Sequence, residues 1–231
     1  MRLLLATRNR HKVGEISRLL KGLPVEVATL EEFPKVPEVV EDGATLEENA
    51  AKKATVCARG SGLWSLADDT GLEVEALGGE PGVYSARYAG PNCDFEANNR
   101  KLLEKLRDLP QSKRRAVFRC VMALASPDGA TTLEEGRLEG RIIDAPRGSG
   151  GFGYDPVFLV EARGKTLAEL SADEKNDVSH RGAALRRIRS RIERISQRSQ
   201  CPRCGLEMEA WHCRILCHGC GYQIDCSDPF S

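Results

Sequence analysis

Residues 65–90 read SLADDTGLEVEALGGEPGVYSARYAG, and the prediction of the fold starts from this stretch. The apolar residues at its start predict a buried strand. Two adjacent acidic residues, Asp68 and Asp69, follow this strand, and Thr70 and a glycine-rich run come after them. Acidic residues that leave a buried strand are expected at the rim of a sheet, where α/β proteins bind their ligands. Two neighbouring aspartates repel each other and are poor strand formers, so a hard cation such as Mg²⁺ beside them would relieve both problems. The alternative is a polar turn at a strand end.

Strand and helix patterns surround this stretch on both sides. Strands are predicted at residues 2–6, 25–28, 115–125 and 131–143, and the last two are expected to form a hairpin around the turn at residues 126–129. Helices are predicted from residue 13 to Gly22, from Leu46 to about Arg59, at residues 92–109, and from Ser179 to Ile195. Thr45 and Glu48 have the spacing of a capping box for the second helix, and Ala50, Ala54 and Ala58 give that helix a thin face.

Three segments carry candidate ligand-binding residues. The loop that opens the first helix holds Arg8, Arg10 and Lys12, and backbone N–H groups at a helix start favour anions. Lys53 lies one helical turn after Asn49 and shares its side of the helix. For these residues the alternatives are an ordinary strand-to-helix turn and a solvated helix lysine.

The third segment is the glycine-rich run GSGGFGYDPVF at residues 148–158. Glycines there allow close backbone approach, and Phe152 and Tyr154 are expected to be exposed and able to stack on a planar base. The alternative is a glycine hinge with its aromatic rings folded inward. Further along, His180 and Arg181 place cations in the first turn of a helix, against its dipole, which suggests that an anion or an acceptor meets them there. A surface His-Arg pair is the alternative.

Composition excludes some classes of protein. The chain has 231 residues, 41% hydrophobic and 29% charged, with 34 Lys and Arg against 34 Asp and Glu, so the whole chain is not a polycation that seeks nucleic acid. No apolar run approaches the roughly 20 residues of a membrane span, and the apolar start is too short for a signal peptide. We therefore expect a globular cytoplasmic protein with no membrane contact.

Six motifs stand in one order and together resemble the inosine triphosphate pyrophosphatase family. They are Thr7-x-Asn9-x-x-Lys12; Glu41-x-Gly43-x-Thr45 continuing to Asn49-Ala50-x-x-Lys53-Ala54; Ala67-Asp68-Asp69-Thr70-Gly71-Leu72; Gly79-x-Pro81-Gly82-Val83-Tyr84-Ser85-Ala86-Arg87-Tyr88; Gly151-Phe152-Gly153-Tyr154-Asp155-Pro156; and Ser179-His180-Arg181-Gly182-x-Ala184-Leu185. The resemblance covers residues 1 to about 195. It implies an α/β fold with two lobes around a long twisted mixed sheet, a central cleft and a homodimer. It also implies Mg²⁺-dependent hydrolysis of ITP, dITP and XTP to nucleoside monophosphate and pyrophosphate.

The resemblance also assigns roles by position. Asp69 is the expected catalytic proton acceptor, and Glu41 and Asp69 are the expected Mg²⁺ ligands. Thr70 stands where the family usually has serine and keeps the hydroxyl, whereas Arg8 stands where the family usually has a small or neutral residue. The expected substrate-binding residues are Thr7, Arg8, Asn9, Arg10, His11, Lys12, Lys53, Thr70, Phe152, Gly153, Tyr154, Asp155, Lys175, His180 and Arg181.

The last 31 residues differ from the rest, because they hold six of the nine cysteines. Two Cys-x-x-Cys-Gly segments, which begin at Cys201 and Cys217, are twelve residues apart. This spacing predicts a structural Zn²⁺ site with the ligands Cys201, Cys204, Cys217 and Cys220. Cys213 and Cys226 are then surplus, His212 or His218 are possible substitutes, and the alternative is a disordered or redox-active tail.

The expected organisation is a pyrophosphatase domain at residues 1–195, a linker at 196–200 and a zinc ribbon at 201–226. The ribbon could contact nucleic acid, a protein partner or the dimer, and seven arginines against Glu193 in residues 181–200 could assist with nucleic acid or be a solvated helix face. Two alternatives to the leading function stay open: a nucleic-acid-binding or protein-binding module on an inactive scaffold, and a related pyrophosphatase with another base preference.

Overall fold

The structure is a computed structural model that describes residues 1–92, 94–198, 201, 203, 204, 206, 208–211 and 214–225. The α-helices of these residues are α1 (Arg10–Leu20), α2 (Leu46–Ser61), α3 (Phe95–Leu106), α4 (Ala172–Val178) and α5 (His180–Arg198). The strands are β1 (Arg2–Leu5), β2 (Glu26–Thr29), β3 (Trp64–Val74), β4 (Pro81–Gly82), β5 (Arg115–Ala125), β6 (Thr131–Ile142), β7 (Phe158–Val160), β8 (Lys165–Thr166), β9 (Glu209–Trp211), β10 (Arg214–Leu216) and β11 (Gln223–Asp225).

A mixed eight-stranded sheet organises the chain before the cysteine-rich tail. Its order is β2-β1-β3-β5-β6-β7-β8, with β4 paired to β3. The β1 strand runs parallel to β2 and β3, and the other pairings are antiparallel. The long mixed sheet confirms the predicted α/β class, and β5 and β6 form the predicted hairpin.

The sequence predicts that the acidic pair lies at the end of its strand, and this prediction is wrong. The β3 strand continues through Asp68 and Asp69 to Val74, so both aspartates lie in the middle of the sheet. Successive strand residues point to opposite faces. Leu66 and Asp68 therefore face α1 and α5, whereas Ala67 and Asp69 face α2. The repulsion expected between the two carboxylates is therefore reduced, because each one forms ion pairs with cations on its own side of the sheet.

Helices cover both faces of the sheet. On one face, Ala50, Ala54 and Ala58 of α2 are fully buried against alanines and valines of β3 and β5, which confirms the thin face. On the other face, α1 and α5 pack on leucines of β1, β3 and β5. Gly136 of β6 allows α5 to approach closely, because a Cβ there would lie 2.1 Å from the backbone oxygen of His180.

Three local expectations need correction. The Thr45 hydroxyl accepts from the backbone of Glu48, but the Glu48 carboxylate accepts from Ala44 at 2.7 Å rather than closing a capping box on Thr45. Tyr154 is buried rather than exposed, because its hydroxyl donates to the carbonyl of Ser85 at 2.9 Å. The α5 helix continues to Arg198 and so includes part of the segment expected as a linker.

The tail has a small antiparallel sheet of its own, in the order β11-β10-β9. Of the tail residues that the structure describes, Cys201, Met208 and Cys217 are buried and form a separate hydrophobic cluster. The surplus cysteines Cys213 and Cys226, and the possible substitute ligand His212, lie outside the described residues. Among the described helices, none combines the length and the apolar character that crossing a membrane requires.

Candidate active site

A cavity of about 290 Å³ opens between the β1–α1 loop, α2, β3, the glycine-rich segment and the α4–α5 region. It brings together residues that are up to about 170 positions apart in the sequence, and most of the predicted site residues line it. These are Thr7, Arg8, Asn9, Lys12, Glu41, Lys53, Asp69, Thr70, Phe152, Gly153, Tyr154, Asp155, Lys175, His180 and Arg181.

The start of α1 forms one wall of the cavity. The Asn9 side chain caps this helix by accepting from the backbone N–H groups of His11 and Lys12 at 2.9 and 3.3 Å. Arg10 and His11 are not among the lining residues: Arg10 is exposed and lies 3.6 Å from Glu31, and His11 stacks on Phe152 with ring centroids 5.1 Å apart. The helix start therefore directs Lys12, rather than Arg10, toward the cavity.

Asp69 lies within an ion-pair cluster on the α2 side of the sheet. Lys53 Nζ is 3.1 Å from Asp69 Oδ1 and 2.6 Å from Glu41 Oε1. Asn49 Nδ2 donates to Asp69 Oδ2 at 3.2 Å, and Asn49 Oδ1 accepts from the backbone of Gly43 at 2.8 Å. Burial, with Glu41 nearby, raises the pKa of Asp69 above its ordinary value despite the neighbouring lysine.

Asp68 is fully buried on the opposite face of the same strand. Its Oδ2 atom lies 3.0 Å from Lys12 Nζ and 3.2 Å from Arg181 Nη2, and the Thr70 hydroxyl donates to it at 3.2 Å. Burial opposes ionisation, but the attraction of Lys12 and Arg181 outweighs it and holds the pKa of Asp68 well below its usual range. Asp68 thus fixes two cations of the cavity wall.

Glu15 is a member of the site that the sequence reasoning missed. Its carboxylate lies 2.6 Å from Lys175 Nζ and also pairs with the Arg181 guanidinium, and Lys175 in turn lies 2.6 Å from Asp155. These contacts join α1, the glycine-rich segment, α4 and α5. Glu15 is one helical turn after Lys12, so its helical spacing is the signal that could have identified it.

Aromatic side chains form the end of the cavity that lies near α5. The Phe152 ring has Lys175 Nζ 4.9 Å from its centroid and the Arg181 guanidinium at 5.6 Å. Phe118 stacks on His180 with centroids 4.5 Å apart and an interplanar angle of 11°. His180 is buried, and its Nδ1 atom has no hydrogen-bond partner among the described residues. This end therefore offers a flat, cationic surface and one unsatisfied imidazole nitrogen.

His180 gives a prediction for the pH dependence of stability. Burial, with Arg181 and Lys175 nearby, holds the pKa of His180 well below 6.5. Below about pH 6.5 the unfolded chain takes up a proton that the folded His180 does not, so the free energy of unfolding should fall by up to about 1.4 kcal/mol per pH unit. Urea unfolding at pH 7.5, 6.5 and 5.5 measures this slope. His180→Gln should reduce it, and an equal slope in both proteins would contradict the assignment.

The acidic residues on the α2 side fit a divalent cation. The Lys53 ammonium bridges Glu41 and Asp69, which shows that a cation can be shared between these two carboxylates. On the other face, the buried Asp68 Oδ1 atom has no hydrogen-bond partner among the described residues. Oxygen donors of this kind match the preference of Mg²⁺, so Glu41 and Asp69 could hold such an ion.

A second group of ligand atoms lies in the tail. The sulfur atoms of Cys201, Cys204, Cys217 and Cys220 all lie within 4.8 Å of one another, so these four cysteines could hold a metal ion. The hydrophobic cluster around them is separate from the clusters that pack the large sheet.

Comparisons with known proteins cover the chain up to the tail. A model of the Ham1 family matches residues 3–191. The dITP/XTP pyrophosphatase of Geobacter sulfurreducens is 55% identical over 191 residues, which are 83% of this chain and 96% of that protein. The dITP/XTP pyrophosphatase of Desulforamulus reducens is 50% identical over 195 residues, 84% of this chain and 97% of that protein.

Solved structures agree with these sequence matches. A HAM1 protein from Coxiella burnetii superposes with a TM-score of 0.77 at 41% identity and covers 84% of this chain and 99% of its own. The Staphylococcus aureus Ham1 protein superposes with a TM-score of 0.75 at 39% identity, over 84% of this chain and 100% of its own. From the family match, the relatives and the superposed structures together, we conclude that this chain belongs to the Ham1 family.

Proposed function

We propose that the chain hydrolyses the deaminated purine nucleoside triphosphates ITP, dITP and XTP to the nucleoside monophosphate and pyrophosphate, and so removes them from the nucleotide pool. The observation that carries the proposal is the single cavity that holds Lys12, Lys53, the Glu41–Asp69 pair and the His180–Arg181 pair. The names of the relatives, dITP/XTP pyrophosphatases at 50–55% identity, support the same substrate class.

At the end of the cavity that we assign to the phosphates, lysine side chains hold positive charge in fixed positions. Phosphoanhydride hydrolysis depends mainly on positioning and charge neutralisation, and lysines are suited to both. Lys12 and Lys53 are held by Asp68 and Asp69 on the two faces of β3, so their ammonium groups are already placed before substrate arrives. Thr7 and Asn9, beside the first turn of α1, complete the proposed triphosphate contacts.

Asp69 is the proposed proton acceptor for the attacking water. Its raised pKa makes it a better base than an ordinary aspartate, and Asn49 and Lys53 fix the orientation of its carboxylate. We propose Mg²⁺ as the ion held by Glu41 and Asp69, where it would supply neutralising charge to the phosphates. The side chains of this chain then orient the water and accept its proton.

The base is recognised at the aromatic end. The proposed contacts of the base are Phe152, which stacks on His11 and lies beside Lys175, and the buried His180, whose Nδ1 atom has no hydrogen-bond partner among the described residues. A 6-oxo purine accepts a hydrogen bond at position 6, whereas the amino group of adenine donates one. A donor placed by His180 or Arg181 would therefore leave adenine mispaired, and mispairing of buried polar groups gives strong discrimination. Gly153, Tyr154, Asp155, Lys175 and Thr70 form the remaining wall.

The test is a panel of nucleoside triphosphates with Mg²⁺, compared by kcat/KM and by product analysis. We expect ITP, dITP and XTP to exceed ATP by at least about 100-fold, the scale that a matched hydrogen bond gives. We expect pyrophosphate as the inorganic product. Release of orthophosphate would contradict the proposed site of cleavage, and equal turnover of ATP would contradict the base assignment.

Organisation and assembly complete the proposal. We propose a hydrolase domain at residues 1–195, a junction at 196–200 and a tail at 201–226 that holds Zn²⁺; the separate hydrophobic cluster of the tail and the end of the family match at residue 191 support this division. We propose a homodimer that acts on the cytoplasmic nucleotide pool. Light scattering on the full chain measures the oligomeric state.

A further inference from the structure

Two segments of the tail close in the same way. Cys201-Pro-Arg-Cys204 and Cys217-His-Gly-Cys220 are each followed by glycine. In the first segment the backbone N–H of Cys201 donates to the carbonyl of Leu206 at 2.7 Å, and in the second the N–H of Cys217 donates to Tyr222 at 2.8 Å. Both bonds span five residues, so each segment is a closed loop that presents two sulfur atoms on one side.

The sulfur atoms of the two loops face each other. Cys201 Sγ lies 3.4 Å from Cys220 Sγ, and Cys204 Sγ lies 3.4 Å from Cys217 Sγ. A disulfide would require about 2.05 Å. Four thiolates at about 2.3 Å from a tetrahedral ion lie about 3.8 Å apart. The two separations of 3.4 Å, with all four sulfur atoms within 4.8 Å of one another, bracket this distance, so one small ion could reach two ligands from each loop.

The described part of the tail has a small apolar core. Among its described residues, Cys201, Met208 and Cys217 are buried, with Ile215, Tyr222 and Ile224 packed against them, and the three strands have three residues each. A segment of this size cannot bury enough apolar surface to offset the entropy of folding. Small domains of this kind are stabilised by a metal ion or by disulfides. The four cysteines are free in the structure and not bonded as disulfides, and their cluster could hold a metal ion instead.

We propose that Cys201, Cys204, Cys217 and Cys220 bind one Zn²⁺ ion that supplies the folding free energy of the tail and takes no part in nucleotide hydrolysis. Thiolates prefer soft or borderline ions, so the Mg²⁺ of the oxygen-lined cavity does not compete for this site. Zinc is redox-inert and favours four-thiolate structural sites. The metal belongs to the part of the chain that follows the family match at residues 3–191.

Metal content of the purified full chain tests the ligand set. We expect one zinc ion per chain, falling below about 0.1 in Cys204→Ser and in Cys217→Ser, because three thiolates do not complete a closed structural site. The matched control is the double variant Cys213→Ser, Cys226→Ser in the same tail, which should keep its zinc. Loss of zinc from the control, retention in both single variants, or iron in place of zinc would overturn the proposal.

Two further measurements test the role of the ion. Replacement by Co²⁺ should give the visible and near-ultraviolet absorption of a tetrahedral cobalt–thiolate centre, and the octahedral spectrum would overturn the site geometry. Trypsin should cleave Cys204→Ser at Arg203 and Arg214 at least about 10-fold faster than the unaltered chain, because the unfolded tail exposes both sites. Equal cleavage rates would overturn the role of the metal in folding.

Measuring nucleotide hydrolysis in the cysteine variants distinguishes the zinc proposal from the proposed function. Cys204→Ser and Cys217→Ser should keep kcat/KM for ITP within about two-fold, because no described residue of the tail lines the cavity and sites without shared partners rarely couple. A large loss of turnover in both variants would overturn the independence of the two sites. A chain that binds one zinc ion but hydrolyses no nucleotide would leave the zinc site standing and would contradict only the proposed function.

Discussion

Asp69→Asn is expected to lower kcat for ITP hydrolysis by roughly 10³- to 10⁴-fold, the scale of a general base combined with a metal ligand. Asparagine keeps the shape of the side chain and can still accept from Asn49, but it cannot take a proton and is a weaker ligand for a divalent ion. The measurement is pyrophosphate release at saturating ITP and Mg²⁺.

Asp42→Asn is the matched control for Asp69→Asn. Asp42 neighbours Glu41 in sequence, its side chain is 66% exposed, and it pairs with Lys52 at 2.5 Å. An exposed ion pair of this kind contributes little to stability, so Asp42→Asn should keep kcat within about two-fold of the unaltered chain. If Asp69→Asn kept more than about a tenth of the activity while thermal unfolding remained normal, another residue would have to be the base.

Asp68→Asn is expected to reduce stability by roughly 3–5 kcal/mol, because it removes the charge that compensates the buried Arg181 and the partly buried Lys12. Lys12 would lose its only ion pair among the described residues, and Arg181 would keep Glu15 alone. For a chain of this size each kcal/mol corresponds to about 2–4 °C in Tm. Urea unfolding and calorimetry measure the loss.

The pH dependence supplies an independent check on Asp68. Its folded pKa is lowered, so its contribution to stability is complete above the unfolded value of 3.8 and is lost as the pH falls below that value. The acid-induced loss of stability should therefore be smaller in Asp68→Asn than in the unaltered chain. Asp42→Asn serves again as the surface control. If Asp68→Asn were as stable as the unaltered chain, the ion pairs of Asp68 would make no net contribution to the free energy of unfolding.

The long sheet was predictable because its strands have strong local patterns. Residues 115–125 are apolar apart from Arg115 and Arg119 and end at a turn, and the structure has β5 at the same limits. The middle of β3 was not predictable in the same way, since two aspartates argue against a strand. They remain in the strand because Lys12, Lys53 and Arg181, which are distant in sequence, approach from the two faces.

Site residues that belong to a sequence motif were predictable, whereas site residues whose position depends on tertiary packing were not. The motifs place Lys53 and Asp69, and the structure brings them within 3.1 Å. Glu15 belongs to none of the quoted motifs, and its role follows from the approach of α4 and α5 to α1. Tyr154 was misjudged because its burial depends on Ser85, 69 residues away. The helix α4 was missed, although Ser171 and Glu174 have capping-box spacing.

The ion pairs of the cavity have a consequence for how a nucleotide enters it. Lys12, Lys53, Lys175 and Arg181 are each already neutralised by a carboxylate of the protein. A triphosphate without a metal ion would therefore find these four charges already balanced, with Glu41 and Asp69 to repel it and Arg8 among the lining residues to attract it. We expect the magnesium–nucleotide complex, which brings its own counterion, to bind more tightly than the uncomplexed nucleotide.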